Sequence, residues 1–199
     1  MPQKRSMNKP LVLVIAQVLL TAVLALACSQ NPTPKPTGYF RLQLPDHQYD
    51  TLKVNCPFRF EKNVITRWKS RENYCWGDLK YPSLNASLQF TYKPVNNNLD
   101  TLLKEAHELA YEHTVRASGI KENLIYNEQE NVYGIMYRLT GNAASSLQFF
   151  VTDSSNHYLR AALYYYASPN ADSLRPVNQY MEKEIKHMMN TFRWKNLSR

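Results

Sequence analysis

Three cysteines carry the most specific chemistry in this sequence of 199 residues. The first, Cys28, closes an uncharged stretch from Pro10 to Ala27 that ends in Leu24, Ala25, Leu26 and Ala27. Small residues just before a cysteine, at the end of an apolar segment, are what a lipoprotein signal peptidase cuts. The enzyme needs a small side chain beside the scissile bond, and the freed Cys28 thiol accepts diacylglycerol. Lys4, Arg5 and Lys9 form the positive front of an export signal. The expectation is therefore a signal peptide over 1–27 and lipidation at Cys28. Ala25 stands where leucine is usual, with Leu24 one residue earlier. An uncleaved anchor is the competing reading, and the seventeen residues 11–27 sit at the short limit for crossing a bilayer. The cysteine at the end of the segment, with no basic cluster after it, favours the lipoprotein.

Cys56 and Cys75 remain. An exported compartment permits a disulfide between them, and closing a loop of this length contributes about 3 kcal/mol in the chain-entropy model. Two free buried thiols are the alternative. The loop they bracket is basic, with Arg59, Lys62, Arg67, Lys69 and Arg71 against Glu61 and Glu72. It is a candidate patch for an anionic partner such as a lipid headgroup or a glycan, and a plain solvated loop is the blander reading.

Other groups do not assemble into a reaction. His107 and His113 are six apart, about 240° around a helix, whereas a zinc-protease helix sets its histidines four apart. No metal is expected. Ser145 and Ser146 lack the nucleophile elbow, and five scattered glycines make no phosphate-binding loop. Neither catalytic residues nor a cofactor are expected. The run Tyr164, Tyr165, Tyr166 can line a groove, but it reads more simply as a strand with aromatics on both faces.

The formal charge of +8 invites a nucleic-acid reading, which its distribution removes. Of the 24 basic residues, five lie in 1–45 and four in 185–199, where there are no acidic ones; that leaves 15 basic against 16 acidic in 46–184. A polyanion-binding fold needs a basic face on its body, not basic ends.

The elements that position these groups follow from periodicity. Residues 29–38 hold Pro32, Pro34 and Pro36, so after Cys28 a stiff spacer of roughly 30 Å is expected over 28–38. One globular domain then spans 39–196. Alternation at Phe40, Leu42 and Leu44, at Ala86 to Tyr92, at Tyr133 to Leu139, at Leu147 to Val151 and over 157–167 predicts half-buried antiparallel strands. The loop Gly141, Asn142, Ala143, Ala144, Ser145, leading into Ser146, joins two of them as a hairpin. Period-3.6 stripes predict helices over 97–118 and 173–193, the first stopped by Gly119, the second capped by Asp172 or Ser173 with Pro176 in its first turn. The fold class is α+β: an antiparallel β-sheet covered by two amphipathic helices, in an order similar to the PsbP/Mog1-like sandwich.

Ordered pieces of the chain also resemble one family. They include Lys35-Pro36-Thr37-Gly38-Tyr39-Phe40-Arg41, Leu44-Pro45, Cys56-Pro57-Phe58, Tyr92-Lys93-Pro94-Val95-Asn96 and Ala110-Tyr111 with His113-Thr114. Further along come Tyr133-Gly134, Gly141-Asn142-Ala143-Ala144-Ser145-Ser146 with Gln148-Phe149, Leu159-Arg160-Ala161-Ala162-Leu163-Tyr164 and Thr191-Phe192-Arg193-Trp194-Lys195. Together they are similar to the GldD gliding-motility lipoproteins of Bacteroidota, with departures mainly in the basic loop 59–74. The resemblance implies a cell-envelope lipoprotein supporting gliding or type IX protein secretion, and it implies no catalytic residue. Its expected partners are the membrane, through acylated Cys28, and other gliding or secretion proteins; the loop Gly141 to Ser146 is the candidate contact. Ser29 after the cysteine, with no acidic run, favours the outer membrane facing the periplasm. A periplasmic glycan- or small-ligand-binding module, using the loop or the tyrosines, is the alternative. Asp50-Thr51-Leu52, Asp100-Thr101-Leu102 and Asp172-Ser173-Leu174 are similar to an O-glycosylation signal, though the last two also suit helix starts.

Overall fold

The computed structural model describes residues 13–15, 17–18, 43–112, 117–166 and 170–195. The chain divides into two units, 1–40 and 41–199. In the first, 13–15 and 17–18 are helical; Cys28 and the spacer 29–38 lie outside the described residues, as do Phe40, Leu42 and His113. No helix among the described residues is long and apolar enough to cross a membrane.

The second unit is built on a seven-stranded antiparallel sheet. Its strands are β4 (Arg67–Ser70), β5 (Gly77–Tyr81), β6 (Ala86–Pro94), β7 (Ala117–Asn127), β8 (Val132–Gly141), β9 (Leu147–Thr152) and β10 (His157–Tyr165). Their spatial order is β4-β5-β6-β10-β9-β8-β7. Two short ladders accompany it: β1 (Tyr49–Thr51) with β3 (Glu61–Asn63), and β2 (Phe58–Arg59) with β11 (Arg193–Trp194). Of the first predicted strand, Phe40 and Leu42 lie outside the described residues; 43–48 have no regular structure, and Leu44 is exposed.

Two helices cover opposite faces. Helix α1 (Leu99–Glu112) lays Leu102, Ala106 and Ala110 on Tyr137, Leu139, Phe150 and Tyr158. Helix α2 (Ala171–Thr191) buries Val177, Met181, Ile185 and Met188 against Leu79, Leu88, Phe90, Phe149 and Leu163. These positions recur at three and four, as a buried helical stripe requires. Because both faces are covered, central strands are buried on both sides. All six residues of β9 are buried, including Gln148, which the alternation assigned to solvent and which accepts a 2.6 Å bond from Arg160 Nη2.

Element ends differ from the pattern for local reasons. Helix α1 stops at Glu112, and Ala117 and Gly119 belong to β7, an edge strand too polar to alternate cleanly. Helix α2 is capped by Asn170, whose Oδ1 accepts from Ser173 N at 3.1 Å, so Pro176 falls in the second turn, on the exposed side. Two hairpins share one device. A three-residue 3₁₀ turn ends in a left-handed asparagine, Asn85 between β5 and β6 and Asn131 between β7 and β8, with φ of 49° and 50°. Asparagine tolerates that region because its side chain bonds locally.

The β9–β10 turn hangs on one carboxylate. Asp153 Oδ1 accepts the backbone N–H groups of Ser155 (3.0 Å), Asn156 (2.8 Å) and His157 (2.8 Å). Burial pushes this carboxyl up, but the three N–H bonds and His157 outweigh burial and hold it below its usual value. A carboxyl lowered on folding stabilises the fold above its unfolded value and loses that contribution as pH falls through the folded value. The urea midpoint is expected to drop as pH falls from neutral through the carboxylate range. Asp153→Asn is expected to lower the neutral-pH midpoint and to make that drop shallower; an unchanged slope would mean that the turn does not titrate.

Candidate functional site

One surface runs along α2, between the β8–β9 hairpin and residues 44–47. The hairpin loop is docked rather than free. Gly141 takes φ 90°, a left-handed value that favours glycine. Asn142 Oδ1 accepts from Ala171 N at 2.9 Å, adding a second cap to α2. Ala143, Ser145 and Ser146 are buried; Asn142 and Ala144 are exposed. Ser146 Oγ and Tyr165 OH both donate to Asn178 Oδ1, at 2.6 and 2.7 Å. Burial pushes the Tyr165 hydroxyl up, so it stays a neutral donor.

Beside the loop, a cavity of about 410 Å³ opens between the end of β8 and α2, with Arg138, Thr140, Ser146, Arg175 and Asn178 among its walls. A second, of about 430 Å³, lies on the other flank of the helix against Leu44, Pro45 and His47. Gln179 and Glu182 line both. Glu182 pairs closely with Arg138 and with Lys186 at 2.9 Å. Burial pushes its carboxyl up, and Lys186 and Arg138 together hold it below the usual range.

Under the second cavity sits a polar cluster that the periodicity did not reveal. Glu184 is 2% exposed. Its Oε1 is 2.5 Å from His47 Nδ1 and accepts from Tyr49 OH at 3.1 Å and Asn63 Nδ2 at 3.4 Å. Asn63 Nδ2 also donates to Tyr180 OH at 2.9 Å and to the Asp46 carbonyl at 2.8 Å. His47 stacks on Tyr180 and Tyr49 on His187, whose Nε2 is 2.7 Å from Glu61 Oε2. Burial, then the Glu184 charge, pushes Tyr49 to about 12 and Tyr81 well up. Both tyrosines are therefore neutral at neutral pH, and Tyr49 donates to Glu184. Oε1 meets three partners, and Oε2 is buried with no hydrogen-bond partner among the described residues, so neither oxygen is exposed to a substrate. The cluster is a clamp that ties residues 46–49 to α2. One signal was available: Glu184 stands four from both Tyr180 and Met188, inside the apolar stripe, where a charge needs partners.

The other predicted groups are dispersed. Cys56 and Cys75 are bonded to each other, with Cα atoms 5.5 Å apart. Lys62 pairs with Asp50 at 2.7 Å, Arg71 with Asp78, and Arg59 lies on β2 opposite Arg193. Only Arg67 and Lys69, with Arg71 just beyond, share the β4 edge, so the five do not form one patch. Tyr165 faces α2, while Tyr166 OH accepts from Lys80 Nζ at 2.6 Å on the surface. No group of three or more histidine, cysteine or acidic residues among those described could hold a metal.

The gliding motility lipoprotein GldD family model matches residues 29–194, which covers the clamp, the disulfide, the hairpin and both cavities. The chain belongs to the GldD family. No curated protein matches the chain. The GldD description is that of a gliding motility lipoprotein, a membrane-anchored envelope protein, and GldD is not a known enzyme family. The match extends through the basic loop 59–74 and begins one residue after Cys28.

Proposed function

We propose that this GldD-family chain is a non-enzymatic, lipid-anchored accessory protein of the gliding and type IX secretion machinery. Residues 1–27 are removed, acyl chains on Cys28 hold the protein in the outer membrane, and the folded unit works in the periplasm through contacts with other gliding or secretion proteins. The family match over 29–194 carries this reading. The small residues before Cys28 and the proline-rich spacer after it support the anchor, because more than one acyl chain makes attachment durable. In a deletion strain, spreading and secreted cargo are expected to be lost, and palmitate labelling is expected to vanish in Cys28→Ala. Normal spreading and secretion would reject the role; labelling that persists would reject the anchor.

The cavity beside the hairpin favours a second reading, a glycan or small-ligand binder. Its volume of about 410 Å³ falls within the roughly 300–1,000 Å³ of small-molecule sites. Thr140→Trp, at an exposed wall residue, separates the two. It is expected to complement the deletion if protein contacts are the function, and to fail if a ligand must enter.

A further inference from the structure

The outer edge of β7 is built to accept another strand. β7 ends the sheet, and among the described residues its only strand partner is β8. Leu139 N bonds the Ser146 carbonyl at 2.9 Å, so odd-numbered β8 residues direct their backbone groups to β9 and even-numbered ones to β7. The β7 partners of Gly134, Met136 and Arg138 are Ile125, Asn123 and Lys121. The backbone N–H and C=O groups of Ile120, Glu122, Leu124 and Tyr126 therefore point away from the sheet. The side chains of Leu124 and Tyr126 are 85% and 70% exposed, the two largest values among the exposed large hydrophobics.

A groove follows this edge. A cavity of about 550 Å³ is lined by residues 123 to 127 without a break, and on its other wall by Lys186, Met189 and Asn190 of α2. Met136 of β8 shares the lining, so the space lies on the α2 side of the sheet and reaches its β7 border. β7 is eleven residues long and contains no proline; its edge protections are a register irregularity between Ala117 and Gly119 and the charges of Lys121 and Glu122, which leaves 123–127 uncharged and regular.

We infer that β7 is a dimerisation strand, and that two copies pair antiparallel, edge to edge, about a twofold axis at Leu124. A twofold axis perpendicular to the joined sheet keeps paired residues on the same face, which leaves few registers. An axis at Lys121 or Glu122 sets like charges opposite each other. An axis at Asn123 sets Glu122 against Leu124 and Lys121 against Ile125, burying charge on apolar side chains. With the axis at Leu124, the two Leu124 side chains meet, Glu122 faces Tyr126, Lys121 faces Asn127, and Ile125 fills the groove beside Asn123. Roughly six backbone hydrogen bonds form at the outward residues. The same axis keeps both α2 helices, and both 44–47 segments beside them, on one side of the joined sheet. Two chains held to one membrane can adopt it, although the pairing does not depend on the anchor.

The full chain in detergent tests this. Leu124→Cys is expected to yield a disulfide-linked dimer on oxidation, since Cα atoms in such a pair lie about 5.5 Å apart. Neither the unsubstituted chain nor Asn123→Cys is expected to do so. Leu124→Lys, at an exposed position, is expected to keep the melting curve and to lower the dimer fraction at least about tenfold in sedimentation, by opposing two charges. A monomer at every concentration, no cross-link at Leu124→Cys, or a dimer indifferent to Leu124→Lys would overturn the inference. A dimer that persists when Cys28→Ala removes the anchor separates it from the proposed function.

Discussion

Gly134→Ala is expected to cost about 4 kcal/mol or more, enough to remove most of the folded protein. Gly134 sits in β8, opposite Val151 of β9. A Cβ built there would lie 1.9 Å from the Phe150 carbonyl oxygen and 2.9 Å from its carbon. The obstruction is backbone of a neighbouring central strand, which no rotamer change relieves. To admit the methyl group, β8 and β9 would have to separate, breaking ladder bonds under α2. Gly119 in β7 is the control: a Cβ there meets only the Thr140 hydroxyl, at 3.3 Å. Gly119→Ala is expected to cost under about 1 kcal/mol. Urea unfolding of both variants checks the pair, and near-equal midpoints would show that the β8–β9 approach yields.

Glu184→Ala is expected to destabilise the protein by about 3 kcal/mol. The substitution leaves Tyr49, Asn63 and His47 without the oxygen on which they converge, and it opens a void beneath Tyr180. Glu184→Gln is expected to be milder, about 1 kcal/mol, because a neutral oxygen still accepts. The two differ from a packing defect in a second readout. Burial and the Glu184 charge raise the Tyr49 pKa to about 12. A tyrosine raised on folding stabilises the fold below its unfolded value, and that contribution is lost as pH rises through the folded value. Removing the carboxylate charge lowers the Tyr49 pKa, so its ionisation is expected to begin at lower pH in Glu184→Gln, seen as tyrosinate absorbance missing from Tyr49→Phe. An unshifted titration would mean that burial alone holds Tyr49.

The central elements were legible because they carry strong periodic signals. Leu88 and Phe90 in β6, Leu159 and Leu163 in β10, and Met181, Ile185 and Met188 in α2 all face the core as their spacing requires. β7 was not legible. As an edge strand exposed along much of its length, it has no apolar period, and Ala117 could be assigned as well to the preceding helix. The loop 141–146 was legible as a hairpin, but not as a dock for α2. Its contacts to Ala171 and Asn178 join residues about thirty positions apart, and no local pattern encodes them.

The amino-acid sequence by itself determined the α+β class, the helical and strand stripes, the neutral body between basic ends and the family, because each is written in residue order or spacing. Only the tertiary structure decided that the two helices take opposite faces of one sheet, that the five basic side chains of the loop separate, and that Glu184 meets His47, Tyr49 and Asn63. It also decided that β7 ends the sheet, with β8 as its only strand partner among the described residues. Each of these depends on which distant segments share a volume after the chain has closed its core. That choice belongs to the whole packing, in which a buried carboxylate must find its donors wherever the fold brings them.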